Sequence, residues 1–246
     1  MYAFGIDTFL VFFSEQKTQK YMKRYAIIVA GGSGKRMGTI TPKQFLLLMG
    51  RPVLMHTIEV FHKFDPEIEI IVVLPQSQIE KWKGLCQQYL FDVKHQIAQG
   101  GTTRFESVRN GLALIEEDGL VGVHDGVRPL VQTATLNRCY IEAGAYGTAV
   151  PVSDSKESVR IVDDKGLSHA VDRTTVRMVQ TPQVFKVKIL KSAYLQPFQN
   201  TFTDDASVVE AAGYNIHLSN GNRENIKITT PDDMIYAEAL LAHGLN

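Results

Sequence analysis

The glycine-rich turn at residues 30–34 is followed by cations that could bind phosphate. The turn reads Ala-Gly-Gly-Ser-Gly, Lys35 and Arg36 follow it directly, and Lys43 comes soon after. Glycine lets backbone N–H groups approach phosphate oxygens, and the cations match the negative charge. This crowding of positive charge suits chemistry at phosphorus, where negative charge builds up in the transition state. We therefore expect a nucleotide site here, with an ordinary turn carrying solvated cations as the alternative.

The turn fits neither of two common nucleotide-binding motifs. A Walker A loop needs a glycine five positions before its Gly-Lys pair and a Ser or Thr after it, but Val29 and Arg36 stand there. The dinucleotide fingerprint G-x-G-x-x-G fails at Met37, which takes the place of the third glycine. The pattern therefore disfavours an NAD-dependent oxidoreductase.

Three charged residues further along the chain could complete a phosphate site. Asp125 ends an apolar segment, so its carboxylate could bind a divalent metal or a ribose hydroxyl, or simply cap a turn. Arg128 could bind phosphate in bidentate fashion or pair with Asp125. Lys227 lies in segment 225–229, which is predicted to be a strand, and a buried ammonium group there needs an anion such as phosphate. On an edge strand, Lys227 would instead face water.

The composition disfavours several classes of function. Lys and Arg together number 26, as do Asp and Glu, so no overall basic field indicates a nucleic-acid partner. Cys86 and Cys139 form no C-x-x-C pair and the seven histidines show no metal-ligand spacing, which argues against a disulfide scaffold or a zinc site. The sequence contains no G-x-S-x-G motif, so a covalent nucleophile has little support. The cysteine usage favours the reducing cytoplasm.

Strand and helix signals alternate along the chain. This alternation predicts an α/β, Rossmann-like fold, with a mostly parallel twisted sheet flanked by helices. Ligands then bind at the carboxyl ends of the strands, so the turns at 30–36, 100–104 and 125–129 should converge. The predicted strands are 26–29, 68–74, 93–98, 120–124, 148–152 and 224–229, and the predicted helices are 52–64, 76–90, 105–117, 133–146, 203–212 and 231–241.

The chain is expected to form a single domain over residues 22–246. Residues 1–21 are predicted to be a disordered or upstream-start extension, with a small packed helix as the alternative. The apolar stretch at 4–13 lacks the basic start of a signal peptide and is too short to span a bilayer, so we expect no membrane segment.

An inserted β-hairpin is predicted at residues 153–176, where the alternation of strands and helices stops. Polar and apolar residues alternate over 157–162, and Gly166 lies in a predicted turn. Because an isolated hairpin is marginally stable in water, it should pack on a partner subunit or on its own domain.

The ordered set of motifs resembles the 2-C-methyl-D-erythritol 4-phosphate cytidylyltransferase family, from residue 25 to about residue 240. The resemblance implies a nucleotidyltransferase fold and the joining of this sugar-alcohol phosphate to CTP, with Mg²⁺ and release of pyrophosphate. The substrate phosphate would attack the α-phosphorus of CTP directly, in the non-mevalonate isoprenoid pathway. The motifs are AGGSGKRM at 30–37, PKQF at 42–45, GGxxRxxSV at 100–108, HDGVRP at 124–129, VDR at 171–173, TPQ at 181–183, TDDAS at 203–207 and ENIKIT at 224–229.

The resemblance also implies roles for individual residues. Arg36 and Lys43 would stabilise charge at the reacting phosphates, and Lys227 would contact phosphate and ribose. The hairpin would be a dimerisation arm, so that a homodimer forms and the arm reaches the acceptor bound to the neighbouring subunit. The implied nucleotide-binding residues are Ala30, Gly31, Gly32, Ser33, Gly101, Thr102, Ser107 and Asp125; the implied acceptor-binding residues are Asp125, Arg128, Thr203 and, from the arm region, Ser155, Arg173 and Thr181; and Asp125 is the implied metal ligand beside the phosphates of CTP.

Three positions depart from the pattern associated with the family. Thr102 stands where an aspartate is frequent, and Gly31 and Gly126 stand where alanine is frequent. The glycine forms also occur in ribitol-5-phosphate cytidylyltransferases of cell-wall polymer synthesis, which are the alternative. A non-catalytic nucleotide sensor is disfavoured, because it would have lost a cation at position 36, 43 or 227.

Overall fold

The structure is a computed structural model that describes residues 22–31 and 41–244. The predictions for the extension at 1–21 and for Gly32, Ser33 and Arg36 therefore lie outside the described residues. The strands are β1 (Arg24–Val29), β2 (Leu47–Leu48), β3 (Arg51–Pro52), β4 (Glu69–Leu74), β5 (Gln96–Gln99), β6 (Leu120–Asp125), β7 (Thr148–Asp154), β8 (Val159–Val162), β9 (Ser168–Val171), β10 (Arg177–Val179), β11 (Gln183–Lys186) and β12 (Leu218–Asn220). The helices are α1 (Val53–Phe64), α2 (Gln76–Gln88), α3 (Arg104–Leu112), α4 (Thr133–Tyr146), α5 (Val187–Ala193), α6 (Asp205–Ala211) and α7 (Pro231–Ala242).

The main sheet has the strand order β10-β7-β11-β6-β1-β4-β5, and β12 pairs with β7. The neighbours β6, β1, β4 and β5 are all parallel, which confirms the predicted mostly parallel sheet flanked by helices. Val29 at the end of β1 pairs with both Val73 and Asp125, so β1, β4 and β6 end side by side. The described starts of the predicted turns at 30–36 and 125–129 therefore lie at one edge of the sheet, as predicted.

The two faces of β1 belong to two separate apolar layers. Ala26 and Ile28 pack with α1, α2 and α4, whereas Tyr25 and Ile27 pack with α3, α5 and α6. All four side chains are buried, as expected for a parallel strand covered by helices on both faces. This double cover holds the strands between two layers of helices.

The predicted strand at 224–229 is wrong. Residues 225–229 run outside any sheet, and the backbone N–H of Ile228 donates to the carbonyl of Val127 at 2.9 Å. The side chain of Ile228 is buried in a third apolar cluster with Leu48, Val53 and Val127. Contacts with residues from separate parts of the chain, rather than a ladder of strand pairs, hold the segment in place.

The antiparallel strand β11 was not predicted. It lies between β6 and β7 and pairs antiparallel with both, for example Gln183 with Val123 and Val184 with Ala149. The short β12 was also missed, and α3 ends at Leu112 rather than at the predicted residue 117.

Strands β8 and β9 form a two-stranded antiparallel hairpin within residues 153–176. Val159 pairs with Val171 and Val162 with Ser168, and Gly166 in the turn has a φ of +80°. The hairpin is a sheet of its own, and residues 161–170 are all exposed. Its role as a dimerisation arm stays a prediction. Across the described ranges, no helix has the length and apolar character needed to cross a membrane.

Candidate active site

A cleft lies at the carboxyl edge of β1, β4, β5 and β6, where the predicted loops converge. Its lining includes predicted site residues from distant parts of the sequence, along with Arg104 and Gln44, to which no role had been given. The predicted site residues that line it are Ala30, Gly31, Lys43, Gly101, Thr102, Ser107, Asp125 and Lys227.

Asp125 is the centre of charge in this cleft. Its Oδ2 atom lies 3.1 Å from Lys227 Nζ and 3.0 Å from Arg128 Nε. Burial alone would raise the pKa of this carboxyl group, but the positive charges of Lys227, Arg104 and Arg128 hold the pKa well below its usual range. Asp125 is therefore ionised at neutral pH, and the predicted alternative of an Arg128–Asp125 pair is present.

Lys227 reaches the cleft from the irregular segment 225–229. Its side chain remains 42% exposed, so the ammonium group is open to a ligand as well as to Asp125. Arg128 holds the start of the same segment, because its NH1 atom donates to the carbonyl of Asn225 at 2.7 Å. The Asn225 side chain in turn donates to the carbonyl of Thr181 at 2.8 Å.

Lys43 is placed by a short 3₁₀ turn, Lys43–Phe45. Only 9% of the residue is exposed, and its Nζ atom donates to the carbonyl of Ile228 at 3.3 Å. The neighbouring Gln44 donates from Nε2 to the carbonyl of Ala30 at 2.7 Å. Lys43 and Gln44 thus tie the first turn and the Lys227 segment to the same point of the cleft.

The loop after β5 presents backbone to the cleft and leads directly into α3. The N–H of Gly101 donates to Ser107 Oγ at 3.1 Å, and a Cβ at Gly101 would overlap the side chain of Glu106. The Thr102 hydroxyl donates to Glu106 Oε2 at 2.5 Å, while Thr103 caps the helix by accepting from the Glu106 N–H. The loop is therefore rigid, and the positive end of the α3 dipole points toward the cleft.

Thr181 lies behind Asp125 and is buried, with 5% of the residue exposed. Its Oγ1 accepts from the Asp125 N–H at 3.1 Å and lies 3.0 Å from His124 Nδ1, while His124 Nε2 lies 3.0 Å from the carbonyl of Arg128. A carbonyl can only accept, so Nε2 carries the proton and Nδ1 accepts from the Thr181 hydroxyl. Burial lowers the pKa of His124 to about 4, so the ring is neutral. Sequence reasoning gave no role to His124, which fixes the backbone on both sides of Asp125.

Arg104 and Asp205 form a bidentate ion pair beside the cleft. The NH1 and NH2 atoms of Arg104 lie 2.9 and 2.6 Å from the two carboxylate oxygens of Asp205. Asp205 is fully buried and also accepts from the Tyr194 hydroxyl at 2.6 Å. Burial would lower the pKa of Arg104, but the adjacent charge of Asp205 raises it above its ordinary value. Arg104 lies in the motif at 100–108 and Asp205 in the motif at 203–207, and both motifs contributed to the family resemblance. These motifs were the sequence signal that could have identified the pair.

Thr203, Ser155 and Arg173 do not line this cleft within one chain. Thr203 is exposed just before α6, whose N-cap is Asp204. Ser155 and Arg173 line a second cleft at the base of the hairpin, together with Arg177 and other polar residues. Their contact with a ligand stays a prediction, as does that of Thr203 and of the buried Thr181.

The sequence profile of the 2-C-methyl-D-erythritol 4-phosphate cytidylyltransferase family matches residues 25–243 of the chain. Relatives of that name include a Bacteroides thetaiotaomicron protein that is 56% identical over 220 residues, covering 89% of this chain and all of the relative. A Porphyromonas gingivalis relative of the same name is 49% identical over 221 residues, covering 89% of this chain and 98% of the relative.

Solved structures give the same result. The 4-diphosphocytidyl-2C-methyl-D-erythritol synthase of Anaerococcus prevotii superposes with a TM-score of 0.76 at 30% identity, covering 90% of this chain and 99% of that chain. The 2-C-methyl-D-erythritol 4-phosphate cytidylyltransferase of Thermus thermophilus superposes with a TM-score of 0.72 at 30% identity, covering 90% of this chain and all of that chain.

Proposed function

Because the chain belongs to the 2-C-methyl-D-erythritol 4-phosphate cytidylyltransferase family, we propose that it transfers CMP from CTP to 2-C-methyl-D-erythritol 4-phosphate. The products are 4-diphosphocytidyl-2-C-methyl-D-erythritol and pyrophosphate, and the reaction belongs to the non-mevalonate isoprenoid pathway. The observation that carries the proposal is the cleft in which Lys43, Lys227 and Asp125 meet two glycine-containing loops. This is the arrangement that a triphosphate and its displacement require.

In the proposed reaction, an oxygen of the acceptor phosphate attacks the α-phosphorus of CTP in line with the leaving group. A bond forms between that oxygen and the α-phosphorus, the bond from the α-phosphorus to the bridging oxygen breaks, and pyrophosphate leaves with the electron pair. Negative charge grows on the α-phosphate oxygens and on the leaving group. Lys43 and Lys227 line the cleft, and they are proposed to stabilise this charge together with Arg36.

The cytidine is proposed to lie against the two loops. Ala30, Gly31, Gly32 and Ser33 would offer backbone groups on one side, and Gly101, Thr102 and Ser107 would enclose the base on the other. The Thr102 hydroxyl and N–H already donate to Glu106, and the Gly101 N–H donates to Ser107, so the lone pairs of the Thr102 hydroxyl and the carbonyl groups of Gly101 and Thr102 are proposed to face the nucleotide. A threonine can thus serve where an aspartate is frequent in the family.

Mg²⁺ is proposed to bind at Asp125 together with the phosphates of CTP. In the part of the chain that the structure describes, no group of three or more His, Cys, Asp or Glu side chains could form a metal cage. Magnesium commonly uses one or two carboxylates and completes its coordination with phosphates and water, so a single aspartate fits it. Lys227 and Arg128 both bind Oδ2 of Asp125, which leaves Oδ1 as the proposed metal ligand. The metal would neutralise charge on the triphosphate.

The acceptor is proposed to bind between Asp125, Arg128 and Thr203 of one subunit and Ser155 and Arg173 of its partner. This requires a homodimer formed through residues 153–176. Support comes from apolar side chains in and around the hairpin that solvent reaches in a single chain and that a partner would cover: Ile161, Val162, Leu167, Met178 and Val179, which are 46–68% exposed. Both cysteines are free thiols, in keeping with a cytoplasmic enzyme.

Pyrophosphate release tests the proposed function. The purified protein would be incubated with CTP, Mg²⁺ and either 2-C-methyl-D-erythritol 4-phosphate or ribitol 5-phosphate. We expect turnover with the methylerythritol substrate, as the names of the relatives favour. Turnover with ribitol 5-phosphate alone would overturn the proposal in favour of the cell-wall alternative.

A further inference from the structure

The loop at 100–104, the nucleotide loop, ends at α3, whose first two residues contact Phe202 and Asp205, one on each side of Thr203 in the sequence. Arg104 is the first residue of α3 and binds Asp205, the first residue of α6, through two short hydrogen bonds. The next residue, Phe105, stacks on Phe202, with ring centroids 5.8 Å apart and an angle of 24° between the rings. Thr203 thus lies between two side chains that the end of the nucleotide loop holds.

Tyr194 contacts both Asp205 and Phe105 and so links the two contacts just described. Tyr194 donates its hydroxyl to Asp205 and stacks on Phe105 with a centroid distance of 4.6 Å. Arg104, Phe105, Tyr194 and Asp205 therefore form a closed ring of contacts between α3 and α6. Such a ring moves as a unit, because a shift of one member breaks contacts of the others.

On the other side, Gln183 of β11 fixes the start of α6 to the sheet. Its Nε2 donates to Asp204 Oδ2 at 2.7 Å, and its Oε1 accepts from the Ala206 N–H at 2.8 Å. The start of α6 is thus held by the sheet and by the nucleotide loop, and only the second of these attachments touches the CTP cleft, which Arg104 itself lines.

We propose that Arg104 is a positioning residue that couples the CTP cleft to the acceptor site at Thr203. CTP bound on the loop at 100–104 would thereby set the position of Thr203 for the acceptor. The proposal rests on the proposed function, because it requires CTP and a polyol phosphate to bind together. In this role Arg104 acts through Asp205, which both terminal nitrogens of its guanidinium group bind. Loss of Arg104 should therefore change the effect of CTP on acceptor affinity more than it changes the affinity for either ligand alone.

The test measures how much a bound CTP analogue changes the affinity for the acceptor. The dissociation constant of 2-C-methyl-D-erythritol 4-phosphate is determined by calorimetry with and without saturating α,β-methylene-CTP, an analogue that cannot transfer CMP. For the wild type we expect the analogue to tighten acceptor binding by about tenfold, within the usual range of coupling between sites. For the double variant Arg104→Gln/Asp205→Asn we expect the effect to fall to less than about twofold.

Two further variants make the result decisive. Asp205→Asn alone keeps the size of the side chain and its bond to Tyr194, so it reports on coupling if the double variant does not fold. Arg24→Gln/Asp65→Asn makes the same changes in an ion pair of 3.0 Å at the opposite end of β1 and should retain the wild-type coupling. Unchanged coupling in both Asp205 variants, or no coupling in the wild type, would overturn the proposal. Wild-type turnover of the two substrates in the same preparation reports separately on the proposed function.

Discussion

Lys227 and Asp125 meet at 3.1 Å in the cleft although they belong to an irregular segment and to a central strand. The same carboxylate oxygen also binds Arg128, so removing Lys227 does not leave Asp125 without a cation. The side chain of Lys227 is 42% exposed, so a ligand can reach it. The pair therefore leaves one partly exposed cation in the cleft and keeps the carboxylate ionised.

We predict that Lys227→Ala lowers kcat by roughly 10²–10³, the scale for one lost donor to the charge of the transition state. The measurement is steady-state pyrophosphate release at saturating CTP and acceptor. Lys188→Ala is the matched control, because Lys188 forms a comparable 2.9 Å pair with Asp118 but stays 80% exposed at the start of α5. Equal kcat values for the two variants would show that Lys227 serves only as a surface ion pair.

We predict a similar loss of kcat for Lys43→Ala, again roughly 10²–10³. Lys43 is nearly buried and also donates to the carbonyl of Ile228, so part of the effect will pass through the position of Lys227. Lys83→Ala serves as the control, since Lys83 pairs with Glu80 on an exposed helix face. A kcat within twofold of the control, that is about the wild-type value, contradicts a role for Lys43 in charge stabilisation.

Much of this arrangement could be predicted from the sequence, and the reasons are local. The apolar runs of β1, β4 and β6 are typical of strands buried on both faces, and parallel strands place the turns that follow them at one edge. The position of Asp125 in the cleft follows from these rules. The glycines of the turns and the cations near them indicated that the cleft binds phosphate.

Other features depend on contacts that no local pattern encodes. Segment 225–229 has the apolar alternation of a strand, but Ile228 packs against loops and the segment is held by Arg128 and Lys43. Strand β11 is four residues long, and its buried Gln183 is tolerated because Asp204 and Ala206 satisfy its amide group. The role of His124 likewise depends on Thr181, which lies far away in the sequence.

The buried His124 predicts a pH dependence of stability. Its pKa is lowered from 6.5 to about 4 in the folded state, so the unfolded chain binds the proton first as the pH falls. The contribution of His124 to the free energy of unfolding is complete above its pKa in the unfolded chain. It is lost as the pH falls from that pKa toward the pKa in the folded protein. Between about pH 7.5 and about pH 5.5, this single group should remove about 1.4 kcal/mol from the free energy of unfolding.

Urea unfolding at the two pH values checks this contribution. His124→Gln should lose less stability than the wild type over this interval, by about 1.4 kcal/mol. His169→Gln, on the exposed hairpin strand β9, should behave as the wild type. If His124→Gln shows the same dependence on pH as the wild type, the ring is not held neutral in the folded protein.

The arm residue Arg173 should affect the acceptor more than the nucleotide. In one chain it lines the cleft at the base of the hairpin, away from the CTP cleft, and its NH1 atom donates to the carbonyl of Lys156 at 3.0 Å. We predict that Arg173→Ala raises the KM for the acceptor by about tenfold or more, as expected when a charged hydrogen bond worth about 1.5–3 kcal/mol is lost, and changes the KM for CTP by less than about twofold. Arg160→Ala is the control, because Arg160 lies in the same hairpin and its guanidinium group donates to Ser168 across it. Initial rates over a grid of both substrate concentrations give the two KM values. An equal rise in both KM values would contradict a specific role of Arg173 in acceptor binding.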